Sequence, residues 1–364
     1  MPVFLKSIGF SVLLIGVLEG LAEATAGISK GYFGKLSDNI NSRVPFVQIG
    51  YTLSAISKPM MALFVYPVWI FLARTIDRLG KGIRTGARDA ILSDEATAAT
   101  KGKVFGFHRA MDTVGAVLGP SFALIYLYYH PKNYATLFYL AFIPGALAVF
   151  ASFLLKEKKH GRSIEKKSTP FFSFLHYWKE SPANYRKLVT GLLLFTLFNS
   201  SDVFLLLKAK ESGLNDTLVI AIYIFYNLVY ALSAFPVGIL ADKMGLKKIF
   251  VAGLLLFAVV YFGMAWADNL YMYAALFFLY GIYAAATEGV SKAWITNITD
   301  SKHTATAIGT YTGFQSICTM LASSLAGLIW SQFGASATFI VTAIGCIVVI
   351  LYITFVIPAP AVHR

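Results

Sequence analysis

Only two of the 364 residues are cysteine, and only 13% carry a charge. A soluble domain would carry about 25% charged residues, so the shortage of charge argues against a water-soluble globule. Cys318 and Cys346 both fall inside apolar runs. They offer neither a disulfide framework nor a metal-ligand spacing, and nothing in the chain calls for a cofactor. Acidic residues are scarce, 18 against 31 lysines and arginines, for a net charge of +13. That excess does not signal nucleic acid, because the basic residues cluster in short connections between apolar runs, as cytoplasmic loops do. No phosphate-cradling Gly-x-x-x-x-Gly-Lys-Ser/Thr loop is present, and Gly80-Lys81-Gly82 does not supply one, which argues against an ATP-driven pump. A repeated filter or pore ring, as a channel needs, is missing too. Enzyme chemistry finds no constellation: His130, His160, His176, His303 and His363 lie in loops or the tail, and His108 sits at a span edge without a cysteine or second histidine nearby.

What the chain does have is apolar length. Hydrophobic residues make up 57% and aromatics 15%, with a mean hydropathy of +0.67. Runs of about 20 apolar residues, long enough to cross a bilayer core as a helix, recur throughout. They predict eleven spans, near 11–33, 44–64, 66–84, 105–129, 134–155, 188–207, 215–238, 249–267, 270–290, 304–330 and 335–357. The runs lack period-two alternation and hold Gly and Pro internally, so helices rather than barrel strands are expected in this all-α polytopic membrane protein. One set of connections carries most of the lysine and arginine, including nine basic residues from Lys156 to Lys187. That side is expected to be cytoplasmic, with the C-terminus on it and Met1 outside, behind no cleavable signal peptide. The three uncharged spans, 134–155, 249–267 and 335–357, are expected to face lipid.

The polar stretch 156–187 divides the chain into an N-terminal half, 1–155, with five spans, and a C-terminal half, 188–364, with six. Sliding the chain by 204 residues superposes Gly34 and Asp38 on Gly238 and Asp242, Arg43 on Lys247, Gly9 on Gly213 and Arg88 on Lys292. The halves therefore read as parallel repeats. In that register the span from Leu188 has almost no partner, so most of a first helix is expected to be missing, with Val3 to Gly9 as its outer end.

The loop Gly34-Lys-Leu-Ser-Asp38 with Arg43 five residues on, returning as Gly238-Ile-Leu-Ala-Asp242, resembles the signature loop of the major facilitator superfamily of secondary transporters. Asn39 and Asn41 replace the usual basic residue and glycine of that loop. Gly115-x-x-x-Gly119-Pro120 is similar to the fifth-helix motif of proton-driven exporters, and Arg74 to Asp89 looks like a bacterial subgroup of the superfamily. The resemblance covers the whole chain. It implies a two-repeat bundle with eleven of the usual twelve helices, working by alternating access. The expected activity is secondary transport of a small molecule across a bacterial inner membrane by a monomer, proton-coupled and of the antiporter, efflux type. The alternative is a non-transporting scaffold or inactive truncated transporter.

Ionisable groups inside spans are expensive and functional by default. Glu19 and Glu23 share a helix face in the first span and are candidates either for proton loading or for a buried ion pair with Arg74 or Arg78. Asp77, Arg109 and Asp112 join that coupling or ion-pair set. Gly34, Asp38, Arg43, Gly238 and Asp242 are the candidate gate, and Gly115, Gly119 and Pro120 the export-type motif. Asp202, Tyr223, Asn227, Glu288 and Lys292 are candidate cavity residues.

Overall fold

Hydrocarbon offers backbone N–H and C=O groups no partner, so each apolar run must close its own hydrogen bonds as a helix. The structure, a computed structural model, describes residues 5, 12–131, 133–157 and 170–358, and of 12–24 and 216 the backbone alone. The described helices are α1 (Val12–Ile40), α2 (Val44–Leu63), α3 (Pro67–Asp94), α4 (Lys101–Tyr129), α5 (Tyr134–Ser152), α6 (Ser173–Glu180), α7 (Ala183–Phe198), α8 (Val203–Glu211), α9 (Asp216–Met244), α10 (Leu246–Met264), α11 (Leu270–Asn297) and α12 (Thr304–Val356). Helix α12 is two spans joined at Gly334, whose φ of 83° breaks the helical path. Helices α7 and α8 together make one interrupted span, which gives the eleven spans expected. Seven stretches among the described residues have the length and hydropathy to cross a membrane, the 56-residue stretch through α12 counting once.

Local chemistry sets the ends. Asn215 and Asn269 cap α9 and α11, accepting from Leu218 N at 2.9 Å and Met272 N at 3.0 Å. The Glu157 carboxylate reaches back from beyond α5 to the start of α2, taking Arg43 N and Val44 N at 2.8 Å each. Prolines 59, 120, 144 and 236 sit inside helices, as membrane helices tolerate.

Two compact units emerge. The first combines Met1–Ile91, Pro120–Glu180 and Asp300–Ile317; the second combines Leu92–Gly119, Ser181–Thr299 and Cys318–Arg364. Each takes most of its helices from one half of the chain and one helix end from the other. In the first unit α2 packs on α5, which leaves Ile143, Leu147 and Phe150 exposed. In the second, α11 packs against α9 and α10. Its core is aromatic, with Phe257 4.2 Å from the Tyr261 ring and 4.8 Å from that of Tyr283. Helix α10 buries Leu254, Phe257 and Tyr261 and exposes Leu255, Val259 and Phe262. The Gly334–Val356 part of α12 is likewise two-sided, with Phe339, Ala343 and Cys346 buried and Ile344, Ile347 and Leu351 exposed.

Candidate functional site

The signature loop owes its shape to one residue. Asn41 has φ of 53°, and 204 positions on Gly245 has φ of 101°. Both turns need left-handed backbone, which asparagine tolerates best among residues with a side chain. Asn41 therefore does the work of the glycine it replaces, and the loop keeps its geometry.

Two seams follow from these loops. In the first unit, α1 meets the start of α12 through glycine: a Cβ at Gly34 would strike the Ala305 carbonyl, and one at Gly27 would lie 2.8 Å from Ser316 Cβ. Backbones this close let Asp38 reach the α12 N-terminus, where it accepts from Thr306 N at 2.7 Å and Thr306 Oγ1 at 2.8 Å. Arg43 donates to Asp38 Oδ1 at 3.4 Å and to Ser301 O at 2.7 Å. In the second unit the Asp242 carboxylate accepts from Gly102 N and Lys103 N, both at 2.7 Å, at the start of α4. A Cβ at Gly106 would come to 2.5 Å from the Ala234 carbonyl oxygen. An anion at a helix start satisfies otherwise unpaired N–H groups and the positive pole of the helix. The same offset of 204 carries Asp38 to Asp242 and Gly102 to Thr306, so the two contacts exchange roles. Lys247, the counterpart of Arg43, instead donates to the Thr354 and Ile357 carbonyls.

The connecting stretch adds a strap to the first seam. Helix α6 lies on it, with Phe174 against Gly31, Lys35 Nζ on Ser173 O at 2.8 Å and Trp178 edge-on to Phe314 at 6.0 Å.

Charges inside the first unit pair locally. Asp77 takes Lys58 Nζ at 2.8 Å and Arg74 at 3.6 Å. Arg84 binds Ser54 Oγ at 2.6 Å and lies over the Tyr51 ring at 4.6 Å, and Arg88 pairs with Asp89 at 3.0 Å. Arg78 has interactions of its own. The side chains of Glu19 and Glu23 lie outside the described residues, as does all of Val3 to Gly9 except Leu5, so the proposed ion pair and first-helix remnant are not visible here.

The second unit holds a polar string. Arg109 donates Nε to Tyr230 Oη, Nη1 to Asp112 at 3.1 Å and Nη2 to Glu288 at 3.0 Å. Tyr230 stacks on Tyr226 at 6.2 Å, Tyr226 lies 5.0 Å from Tyr280, and Tyr280 Oη donates to Asp202 Oδ1 at 2.7 Å. Asn227 turns its amide to the Tyr223 carbonyl at 2.8 Å, and Tyr223 is 40% exposed. Lys292, one turn past Glu288, has partners of its own. Between α7 and α8 the helix is interrupted over 199–202, where Asn199 Nδ2 donates to Tyr283 Oη at 3.0 Å.

Arg109, Asp112, Glu288 and, through the tyrosines, Asp202 are thus brought into one network, whereas Asp77 and Arg74 pair elsewhere. At Gly115 and Gly119 nothing among the described residues lies within 4 Å of an added Cβ. The close contacts fall instead on Gly102 and Gly106, whose four-residue spacing was the available signal. Sequence reasoning also missed Thr306, Lys58 and Tyr280.

These helices, with paired charges inside their spans, define a multi-pass membrane protein of transporter architecture. The sequence model of the Major Facilitator Superfamily matches residues 1–225 and 203–364. An uncharacterized MFS-type transporter of Methanocaldococcus jannaschii is 31% identical over 362 residues, 98% of this chain and 89% of that one. The quinolone resistance protein NorA of Staphylococcus aureus is 24% identical over 194 residues, covering 53% of this chain and 48% of NorA. Among solved structures, the proton:xylose symporter XylE aligns with a TM-score of 0.75 at 16% identity, over 98% of this chain and 90% of that one. The chain belongs to the Major Facilitator Superfamily and is a transmembrane transporter.

Proposed function

We propose that the chain exports a small molecule across the cytoplasmic membrane in exchange for protons. The repeats 1–155 and 188–364, joined by 156–187, rock against one another, with the basic loops and C-terminus on the cytoplasmic side and a monomer as the working unit. The observation that carries this reading is the pair of exchanged aspartate contacts. Each holds a signature loop of one repeat to a helix start of the other, as a gate that opens and shuts between repeats requires. Gly34, Asp38, Arg43, Gly238 and Asp242 form the gate; the Arg109, Asp112 and Glu288 network with Asp202, Tyr223, Asn227 and Lys292 faces the transported molecule. Glu19 and Glu23 remain candidates for coupling in the first repeat. Partial similarity to NorA and the Gly115, Gly119, Pro120 motif support export. Proteoliposomes with an imposed pH gradient test the reading: a transported compound should move against its own gradient and collapse the pH difference. Compound movement that ignores the pH gradient refutes proton exchange.

A further inference from the structure

Helix α6 and the turn before it carry bulky apolar residues on two faces. The inner face closes on the first seam. Phe174 is buried there, with its ring against Gly31 of α1 and 3.9 Å from where a Cβ on Gly313 of α12 would stand. On the α1 side Lys35 Nζ donates to Ser173 O at 2.8 Å, and the Tyr32 ring lies 5.0 Å from that of Phe171. On the α12 side Thr310 Oγ1 donates to Phe174 O at 3.4 Å and Phe314 lies 6.0 Å from Trp178, while His303, just ahead of α12, lies 5.9 Å from Tyr177. Helix α6 thus bridges both helices of the seam, and α1 cannot part from α12 while α6 keeps both sets of contacts.

The outer face is uncovered. Phe171, Phe172 and Leu175 are 47%, 61% and 40% exposed, and Lys179, one helical turn past Leu175, is exposed on the same side. Only Ser181 and Pro182 separate α6 from α7, which leads into a span. Three peptide steps reach about 11 Å at most, so α6 is confined near the membrane surface from which that span starts. The connecting stretch 156–187 holds nine lysines and arginines against three glutamates. Large apolar side chains beside a surplus of basic ones suit an anionic bilayer surface, where the former enter the acyl boundary and the latter stay among the headgroups. The bilayer is already at that place, whereas a protein partner would have to displace it.

We propose that the outer face of α6, formed by Phe171, Phe172, Leu175 and Lys179, is a docking surface for anionic lipid, and that lipid held there keeps the first seam shut. This rests on the gate reading of that seam above and adds what regulates it. Lipid and seam hold opposite faces of one short helix. When α1 and α12 part, α6 follows one of them and its outer face leaves the bilayer. The cost of opening therefore grows with the affinity of that face for the surface, which rises with the share of anionic lipid and falls with salt.

The test compares the purified full-length chain in nanodiscs of phosphatidylcholine alone and of an equal mixture of phosphatidylcholine and phosphatidylglycerol. The reporter is Ser37→Cys in a background with Cys318 and Cys346 changed to serine, since Ser37 is fully buried on α1 and bonds back to Gly34 O. Anionic lipid should slow its alkylation about tenfold, the worth of one or two lysines at such a surface, and high salt should remove most of the difference. Changing Phe172 and Leu175 together to serine leaves the seam contacts in place and should erase the lipid effect in a protein that melts like the parent. Phe174→Ala, which empties the inner face, should speed alkylation in both lipids. Equal rates for the parent in the two lipids, or an undiminished lipid effect in the double serine variant, would overturn the proposal. So would glycerol phosphate in phosphatidylcholine discs reproducing the slowing, because the ligand would then be a free anion rather than a bilayer. If Asp38→Ala speeds alkylation and lipid changes nothing, the gate stands and the lipid site falls. If neither moves the rate, both fall.

Discussion

Replacing Asp38 with alanine should open the seam between α1 and α12. The carboxylate satisfies Thr306 N and Oγ1 at 2.7 and 2.8 Å and the Arg43 guanidinium at 3.4 Å, in a site where Asp38, Arg43 and Thr306 are all buried. Hydrogen bonds to a charged group contribute about 1.5–3 kcal/mol each, and breaking a buried ion pair costs about 3–5 kcal/mol. These terms overlap, the Arg43 bond is long, and Arg43 keeps Ser301 O at 2.7 Å, so about 3 kcal/mol is the expected loss. At 1.4 kcal/mol per factor of ten, the open population should rise about a hundredfold. Thr310, fully buried on α12 one turn past Thr306, is the reporter. In a background with Cys318 and Cys346 changed to serine, Thr310→Cys should be alkylated about a hundredfold faster when Asp38 is alanine. Asp38→Asn keeps an acceptor oxygen and should give a smaller rise, of about tenfold. An unchanged alkylation rate in a variant that melts like the parent would refute the reasoning.

Glycines should divide sharply by position. Gly106→Val drives a side chain into the Ala234 carbonyl, 2.5 Å from the Cβ site, and should lower stability by about 1–3 kcal/mol, whereas Gly115→Ala should leave the melting temperature unchanged. Asp77→Asn removes the carboxylate charge facing Lys58 and Arg74 and should lower the melting temperature; adding Lys58→Met should recover part of that loss if the Lys58–Asp77 pair, rather than the loop around it, is what holds α2 to α3.

Hydropathy made the spans legible because an apolar run of bilayer length has one stable outcome in lipid, and eleven such runs are eleven spans. The interruption at 199–202 was harder to see. Asn199-Ser-Ser-Asp202 lies inside an otherwise apolar stretch that averages as one continuous helix, although four consecutive residues with short polar side chains compete for backbone hydrogen bonds and favour a break. Asp38 was legible as a repeated loop residue, but its partner Thr306 lies 268 positions away in an unremarkable stretch. No local pattern could have named it. The register of 204 contained the answer in part, since it pairs residue 102 with residue 306. The charged residues from Arg74 to Arg88 lie close together in the sequence, yet they separate onto different neighbours, because long side chains choose partners by reach as well as by face.

The exchanged aspartates carry one more implication. Position 38 meets position 306, and position 242 meets position 102, so each repeat supplies one acceptor and one helix start. Such reciprocity, in which patch A of one partner meets patch B of the other and B meets A, is the defining rule of an isologous interface between identical subunits. A polypeptide of half this length would already contain both surfaces needed to pair with its own copy. Because the two contacts lie at separate positions of one chain they need not match: Arg43 serves one of them, whereas its counterpart, Lys247, donates to the end of α12.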